Sequence, residues 1–308
     1  MFLLQLPVEL LDAICEPVRP VDLVSFARTS SSIYPSAQRL LYRHLSLSSH
    51  AQNLRAVFAI ARKPELARHV RTFSLRLDTS PVFGAFYRLL GVALSSMTEL
   101  TSLDLFVDPT ASWILSQTRH AYPRLLHFAS SLPLDDHVAG FLRRTDALLE
   151  LEIDGSIMPI SLPAPILPVA SLPRLSQFVG PSHVASAIVP GRPVESIHLP
   201  TGDLTVEDVI SLANTTAHVV VFGATTSSLP ILLLDALSQP PKPSFYEQVA
   251  TVLTSLPDLK GFELAGMQWG PTKKATQADG NVWQSQPTVG DIVDAEDVDL
   301  DSDLFFAY

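Results

Sequence analysis

Residues 100–105 read LTSLDL, with Leu100, Leu103 and Leu105 separated by Thr101, Ser102 and Asp104. Apolar residues at the first, fourth and sixth positions, polar ones between the last two, describe a strand with one buried and one wet face. The template recurs along the chain. Tyr42, Leu45 and Leu47 form a first copy, and Val70, Phe73 and Leu75 a second. Leu148-x-x-Leu151-x-Ile153, Val194-x-x-Ile197-x-Leu199 and Leu259-x-x-Phe262-x-Leu264 are equally clear. Weaker copies stand at Leu125 and Phe128, at Leu175 and Phe178, and at Ala217, Val220 and Phe222. The middle anchors 45, 73, 103, 128, 151, 178, 197, 220 and 262 are spaced by 28, 30, 25, 23, 27, 19, 23 and 42 residues, the last gap long enough to hold an insertion.

Helical patterns occupy the intervals. Leu54, Val57, Phe58 and Ala61 fall at helical spacing within Ala51 to Ala61, as do Phe86, Leu89, Leu90 and Ala93 within Phe83 to Leu94. Val138, Phe141 and Leu142 form a shorter one; Thr205 is the expected cap of another containing Val209, Leu212 and Ala213. Phe245, Val249, Val252, Leu253 and Leu256 supply the last. One strand and one helix per unit, at these intervals, resembles leucine-rich repeats. The Asn or Cys that usually follows the strand in that family is largely missing, with Pro109, Leu132 and Pro200 near those positions, so the units are expected to be irregular. A doubly wound α/β sheet would also alternate strand and helix, but needs a glycine-rich turn after an early strand that is not found.

Upstream, Leu6 to Leu47 reads as three short helices. Leu10 with Ile14 and Leu11 with Cys15 recur four apart. Pro17 and Pro20 break that helix, and a second, with Leu23, Phe26 and Ala27 at helical spacing, begins just after Pro20. A hydroxyl among Thr29, Ser30, Ser31 and Ser32 is expected to cap a third, whose apolar positions are Ile33, Ala37, Leu40 and Leu41. So small a unit buries little and should complete its apolar faces on a partner or on the next domain. Leu6-Pro7, Glu9-Leu10-Leu11, Ile14, Asp22-Leu23, Phe26 and the run Leu40-Leu41-Tyr42-Arg43-His44-Leu45 resemble the F-box of fungal F-box-like proteins. The resemblance implies docking onto the Skp-type adaptor of an SCF-type ubiquitin ligase, and through it a cullin, by Leu6, Pro7, Leu10, Ile14, Leu23 and Phe26. The chain departs from the family at Ala27-Arg28-Thr29 and Ile33, where many F-boxes carry a Val-Cys-basic-x-Trp run.

Composition narrows the alternatives. The 308 residues are 47% hydrophobic and 17% charged, enough for a substantial core. No window of about 18 apolar residues suggests a membrane span. The amino terminus meets Pro7 and Glu9 without a basic region, unlike a secretory signal. Cys15 is the sole cysteine and reads as a core residue; without an internal disulfide, a cytoplasmic or nuclear location is expected. Residues 287–308 hold seven acids (Asp291, Asp294, Glu296, Asp297, Asp299, Asp301 and Asp303) and no base; removing them from a net charge of -10 leaves -3. The body is thus near neutral, which argues against nucleic-acid binding. The stretch 267–308 is expected to be a disordered polar and acidic tail.

A search for chemistry finds little. Gly266 and Gly270 lack the spacing of a phosphate loop, and Pro271 stands at its lysine position. Gly180-Pro181-Ser182-His183 lacks the second glycine of a nucleophile elbow. Nine histidines show no metal-ligand spacing. Asp135-Asp136-His137 reads as a helix start with acids complementing the dipole.

The expectation is therefore an α/β chain without catalytic residues or cofactors. Residues 1–45 form the F-box-like module, 46–266 an irregular leucine-rich-repeat-like solenoid, and 267–308 the tail. Strand positions between the core anchors, namely Arg76, Asp104, Glu152, Asp154, His198 and Glu263, would face outward and recruit a target protein. Their acidic balance suits a basic segment. The alternative is a repeat scaffold whose amino-terminal helices only cap the solenoid.

Overall fold

The computed structural model describes residues 6–51, 53–77, 84–118, 120–154, 165, 167–202, 206–224, 262–264, 267–271 and 283–287. Three helices open the chain: α1 (Val8–Cys15), α2 (Pro20–Ala27) and α3 (Tyr34–Arg43). Strands β1 (His44–Ser48), β2 (Thr72–Arg76), β3 (Ser102–Phe106), β4 (His127–Ser130), β5 (Glu150–Ile153), β6 (Gln177–Val179), β7 (Ser196–Leu199), β8 (Val221–Ala224) and β9 (Phe262–Leu264) follow. They lie side by side in chain order, every neighbouring pair parallel. The order never reverses among the described strands, so the sheet is not doubly wound.

The register explains why the template recurs. Leu45, Phe73, Leu103, Phe128, Leu151, Phe178, Ile197, Phe222 and Phe262 occupy one continuous row across the sheet. These are the expected middle anchors except at β8, where Phe222 replaces Val220. There the buried frame is Val219, Phe222 and Ala224, two residues later than Ala217, Val220 and Phe222. Phe222 aligns with Ile197 before it and Phe262 after it, which decides the frame.

Between the strands run α4 (Arg55–Arg62), α5 (Pro64–Ala67), α6 (Gly84–Ser96), a 3₁₀ helix (Pro109–Gln117), α7 (Asp136–Leu142), α8 (Ser182–Ile188) and α9 (Val206–Leu212). Their apolar faces share one core with the inward strand residues, including Val57, Ile60, Leu90, Ile114, Phe141 and Ile188. Successive helices pack on each other along that face: α4 on α6, α6 on the 3₁₀ helix, that on α7, and α8 on α9. The patterns within 51–61, 83–94 and 138–142 thus become helices; the expected cap Thr205 and the helix around Phe245 to Leu256 lie outside the described residues. Asp135 caps α7, its carboxylate accepting from the amides of His137 and Val138 at 2.9 Å each, so the acid pair serves the helix start.

Polar side chains join one strand–helix unit to the next. Ser112 Oγ donates to Asp135 Oδ2, and Ser186 Oγ to Asp208 Oδ1 at 2.6 Å. Arg144 donates to the carbonyls of Gly140, Thr118 and Leu115. Arg192 repeats the device in the interior, reaching Ser171 O at 2.8 Å, Pro168 O at 2.9 Å, Leu167 O at 3.4 Å and Ile188 O. Each arginine follows a short helix, bonds a carbonyl four residues back, and spans to the connection of the preceding unit. The guanidinium groups thus supply donors to carbonyls at helix ends and connections, adding to the Thr118 and Ser171 amides that already reach Leu115 O and Pro168 O.

The amino-terminal helices have a separate small core of Cys15, Leu23, Ile33 and Ala37, with Val18, Phe26, Ala27, Leu40 and Leu41 at its border. α1 and α2 each pack on α3. Because α3 ends at Arg43 and β1 begins at His44, the expected division between residues 45 and 46 falls inside β1, and helix and sheet share a continuous backbone. Pro20 is the first residue of α2, within a residue of the expected start, and its missing N–H costs nothing there. One local expectation needs correction. No hydroxyl caps α3; Ser30 contributes its carbonyl to the amide of Tyr34, and its Oγ accepts from Ser32 N at 3.2 Å.

At the other end, β10 (Met267–Pro271) and β11 (Trp283–Pro287) extend the sheet as an antiparallel pair beside β9. These residues were expected to be unstructured; pairing gives the edge of β9 a hydrogen-bonded neighbour, which local composition does not register. Residues 288–308, with the acidic run, lie outside the described residues.

Candidate functional site

Two surfaces hold the residues singled out from sequence. On the first, Pro7 O receives the amides of Leu10 and Leu11 at 3.1 and 3.2 Å, which sets the start of α1. The two stripes of this helix then separate. Leu11 and Cys15 turn inward, while Leu10 is 51% and Ile14 38% exposed. Leu6 and Phe26 are half-buried and Pro7 is exposed. Leu23 is only 4% exposed, belonging to the interior of the module, because α2 turns that residue onto α3. Three further apolar side chains unnoticed from sequence are exposed on the same two helices: Val8, Val24 and Val21, the last at 77%. Val21 and Val24 depart from the face of α2 that carries Leu23, whereas Val8 shares the spacing of Leu11 and Cys15 and is exposed only because it stands in the first turn of α1.

Ion pairs hold α1 against α3 and leave its outer stripe free. Arg39 Nη2 lies 2.7 Å from Asp12 Oδ1, and Arg43 Nη1 3.7 Å from Glu16 Oε1. Burial acts to raise the Asp12 carboxyl, but hydrogen bonds with Arg39 and Ser36 outweigh it and hold the group below its ordinary value. Burial, then the Asp12 charge, pushes the Cys15 thiol up, so it stays protonated and acts as a core residue.

The second surface is the open face of the sheet. Ser46, Ser74, Asp104, Ala129, Glu152, Val179, His198, Gly223 and Glu263 form one register row. Asp104, Glu152, His198 and Glu263 thus lie on a common line, although the side chain of Glu263 is outside the described residues. Asp154 follows β5 and donates its amide to Ser130 O. Arg76 stands at the end of β2 with its guanidinium carbon 4.6 Å from the centre of the Phe106 ring.

His127, absent from the sequence-based set, is the hub of this face. Its Nδ1 lies 3.0 Å from Glu150 Oε2 and its Nε2 3.3 Å from Asp104 Oδ1. The Asp104 oxygen is buried and receives no well-aligned hydrogen bond, so the histidine contact there is electrostatic. Ser196 Oγ lies 3.2 Å from His198 Nε2. Gly223 leaves room for that ring, since a Cβ would stand 2.9 Å from His198 Nδ1. The face is polar, cross-linked between strands and acidic in balance.

Among the described residues no cluster of His, Cys, Asp or Glu is arranged to hold a metal ion, and no helix is long and apolar enough to cross a membrane. No protein-family model and no curated protein matches the chain.

Proposed function

We propose that the protein is a non-catalytic substrate-receptor subunit of an SCF-type ubiquitin ligase, with an F-box-like module at its front and a leucine-rich-repeat-like solenoid behind. The module would hold a Skp-type adaptor and thereby a cullin; the open sheet face would hold the protein to be ubiquitinated. The work done is proximity, raising the effective concentration of a target near a ubiquitin-charged enzyme elsewhere in the complex.

The observation that carries this reading is the exposed apolar set Val8, Leu10, Ile14, Val21 and Val24 on helices that already possess their own small core. Leu10 and Ile14, four apart on the outer face of α1, are the part of this set that supports an interaction site. The acidic balance of Asp104, Glu150 and Glu152 around His127 supports a target that presents a basic segment.

Coexpression with a Skp-type adaptor tests the first half. The full chain should copurify with it, and a Leu10→Asp, Ile14→Asp variant should fold without doing so. Failure of the folded wild-type chain to hold any such adaptor refutes the receptor reading. It would favour a scaffold whose helices cap the solenoid, which the direct passage of α3 into β1 and the bond from Arg71 N to Arg43 O at 2.8 Å also support. For the target face, Glu152→Lys with Asp154→Lys should change the set of captured partners; an unchanged set removes that assignment.

A further inference from the structure

β1 ends the sheet, and the alternation of a strand's backbone decides which of its groups are left over. Arg43 O accepts from Arg71 N at 2.8 Å and Ser49 N donates to Arg76 O at 3.3 Å, so residues 43 and 49, and those at alternate positions between them, face β2. His44, Ser46 and Ser48 consequently direct their N–H and C=O groups away from the sheet. An open edge of this kind is a template for another strand.

Among the described residues the edge is closed by one side chain. The turn after β1 folds back, with Ala51 N donating to Ser48 Oγ at 3.1 Å. That brings the Asn53 amide alongside the strand. Its Nδ2 donates to Ser46 O at 2.9 Å and its Oδ1 accepts from Ser48 N at 3.0 Å. A primary amide carries a donor and an acceptor on the same side, so Asn53 occupies the edge as the N–H and C=O of one residue of a partner strand would. Below it, α3 runs straight into His44 and leaves the centre of the edge, around Ser46, as the position another strand could reach.

We propose that Asn53 is an edge stop that keeps a second copy of this chain from adding its own β1. Two such edges meeting about a twofold axis run antiparallel, and the residue at the middle of the strand, Ser46, would lie beside the axis. The contact is self-complementary and closes as a dimer. The serines at 46 and 48 are small enough for backbones to approach. This assignment is independent of the receptor reading, since it concerns the edge and neither the α1–α2 surface nor the open face.

Light scattering on the full-length chain after size exclusion, with circular dichroism to verify folding, provides the test. Wild type should run at 33.5 kDa. Asn53→Ala, and Asn53→Leu as a variant that preserves the amide's volume, should run at about twice that mass. Adding Ser46→Pro to either removes an outward N–H that the β1–β2 ladder does not use, and should restore the monomer. A dimeric wild type, a folded Asn53 variant that stays monomeric, or a dimer that survives Ser46→Pro would each overturn the proposal. So would loss of the fold in both Asn53 variants, because the amide would then be part of the fold and not a stop.

Discussion

Replacing Arg192 with methionine keeps the aliphatic stem and removes a guanidinium that is 1% exposed and has four carbonyl partners. Pro168 O retains the amide of Ser171 at 2.9 Å, whereas Ser171 O, Leu167 O and Ile188 O lose this donor. An unsatisfied buried carbonyl costs about 1–3 kcal/mol. Three of them, partly offset by water entry and by relief from burying a cation, give a destabilisation of about 3–5 kcal/mol. Against a total of about 5–15 kcal/mol for a folded domain, that is a large share. Arg144 makes the same kind of bonds but is half-buried. Water can replace its donors, so Arg144→Met should cost only about 1–2 kcal/mol. Urea unfolding followed by circular dichroism reads both as a lower midpoint with an unchanged slope. If Arg192→Met costs less than 1 kcal/mol, or no more than Arg144→Met, carbonyl satisfaction is not what the buried arginine contributes.

Ile33 and Ile14 are the same residue type on opposite sides of the front module, so Ile33→Ala should destabilise it by about 2–4 kcal/mol and Ile14→Ala by less than about 0.5, as measured by thermal unfolding. The Tyr122 phenol donates to Leu94 O at 2.9 Å, and burial pushes its pKa up to about 12. A raised folded value means that its contribution is complete below the unfolded tyrosine value of about 10 and is lost as pH climbs through 12, so wild type should lose stability across that interval more steeply than Tyr122→Phe. A hydrogen bond from Arg71, with the charge of Arg124 adding to it, holds the Glu99 carboxyl below its ordinary value. That stability is present above the unfolded carboxylate range and lost as pH falls through the folded value; Glu99→Gln should flatten the acid limb of the stability profile. Gly180→Ala would place a methyl 3.0 Å from Ile153 O and 2.9 Å from Phe178 Cζ, and should lower the urea midpoint by about 1–2 kcal/mol equivalent.

Much of the architecture was legible in the linear chain. The alternation that marks Leu103 and Leu105 as inward depends only on the two-residue period of a strand, and the same holds for Phe73, Leu151 and Ile197. Recurrence of that pattern with helical spacing between copies was enough to order strands and helices and to set the register row, apart from β8. The three front helices were equally readable from Pro17, Pro20 and the four-residue spacings.

What remained was decided by contacts between parts of the chain that no local period connects. Two apolar frames compete at residues 217–224, and pairing with β7 and β9 selects the one centred on Phe222. Leu10 with Ile14 and Leu11 with Cys15 satisfy the same helical spacing, and the packing of α3 determines which pair is buried. His127 gains its role from carboxylates on two other strands, and Arg192 from carbonyls 21 to 25 residues earlier as well as one four residues back. Periodicity is a property of neighbours along the backbone and so could be read in advance; the choice among faces of equal period, and the reach of long polar side chains, exist only after distant segments have come together.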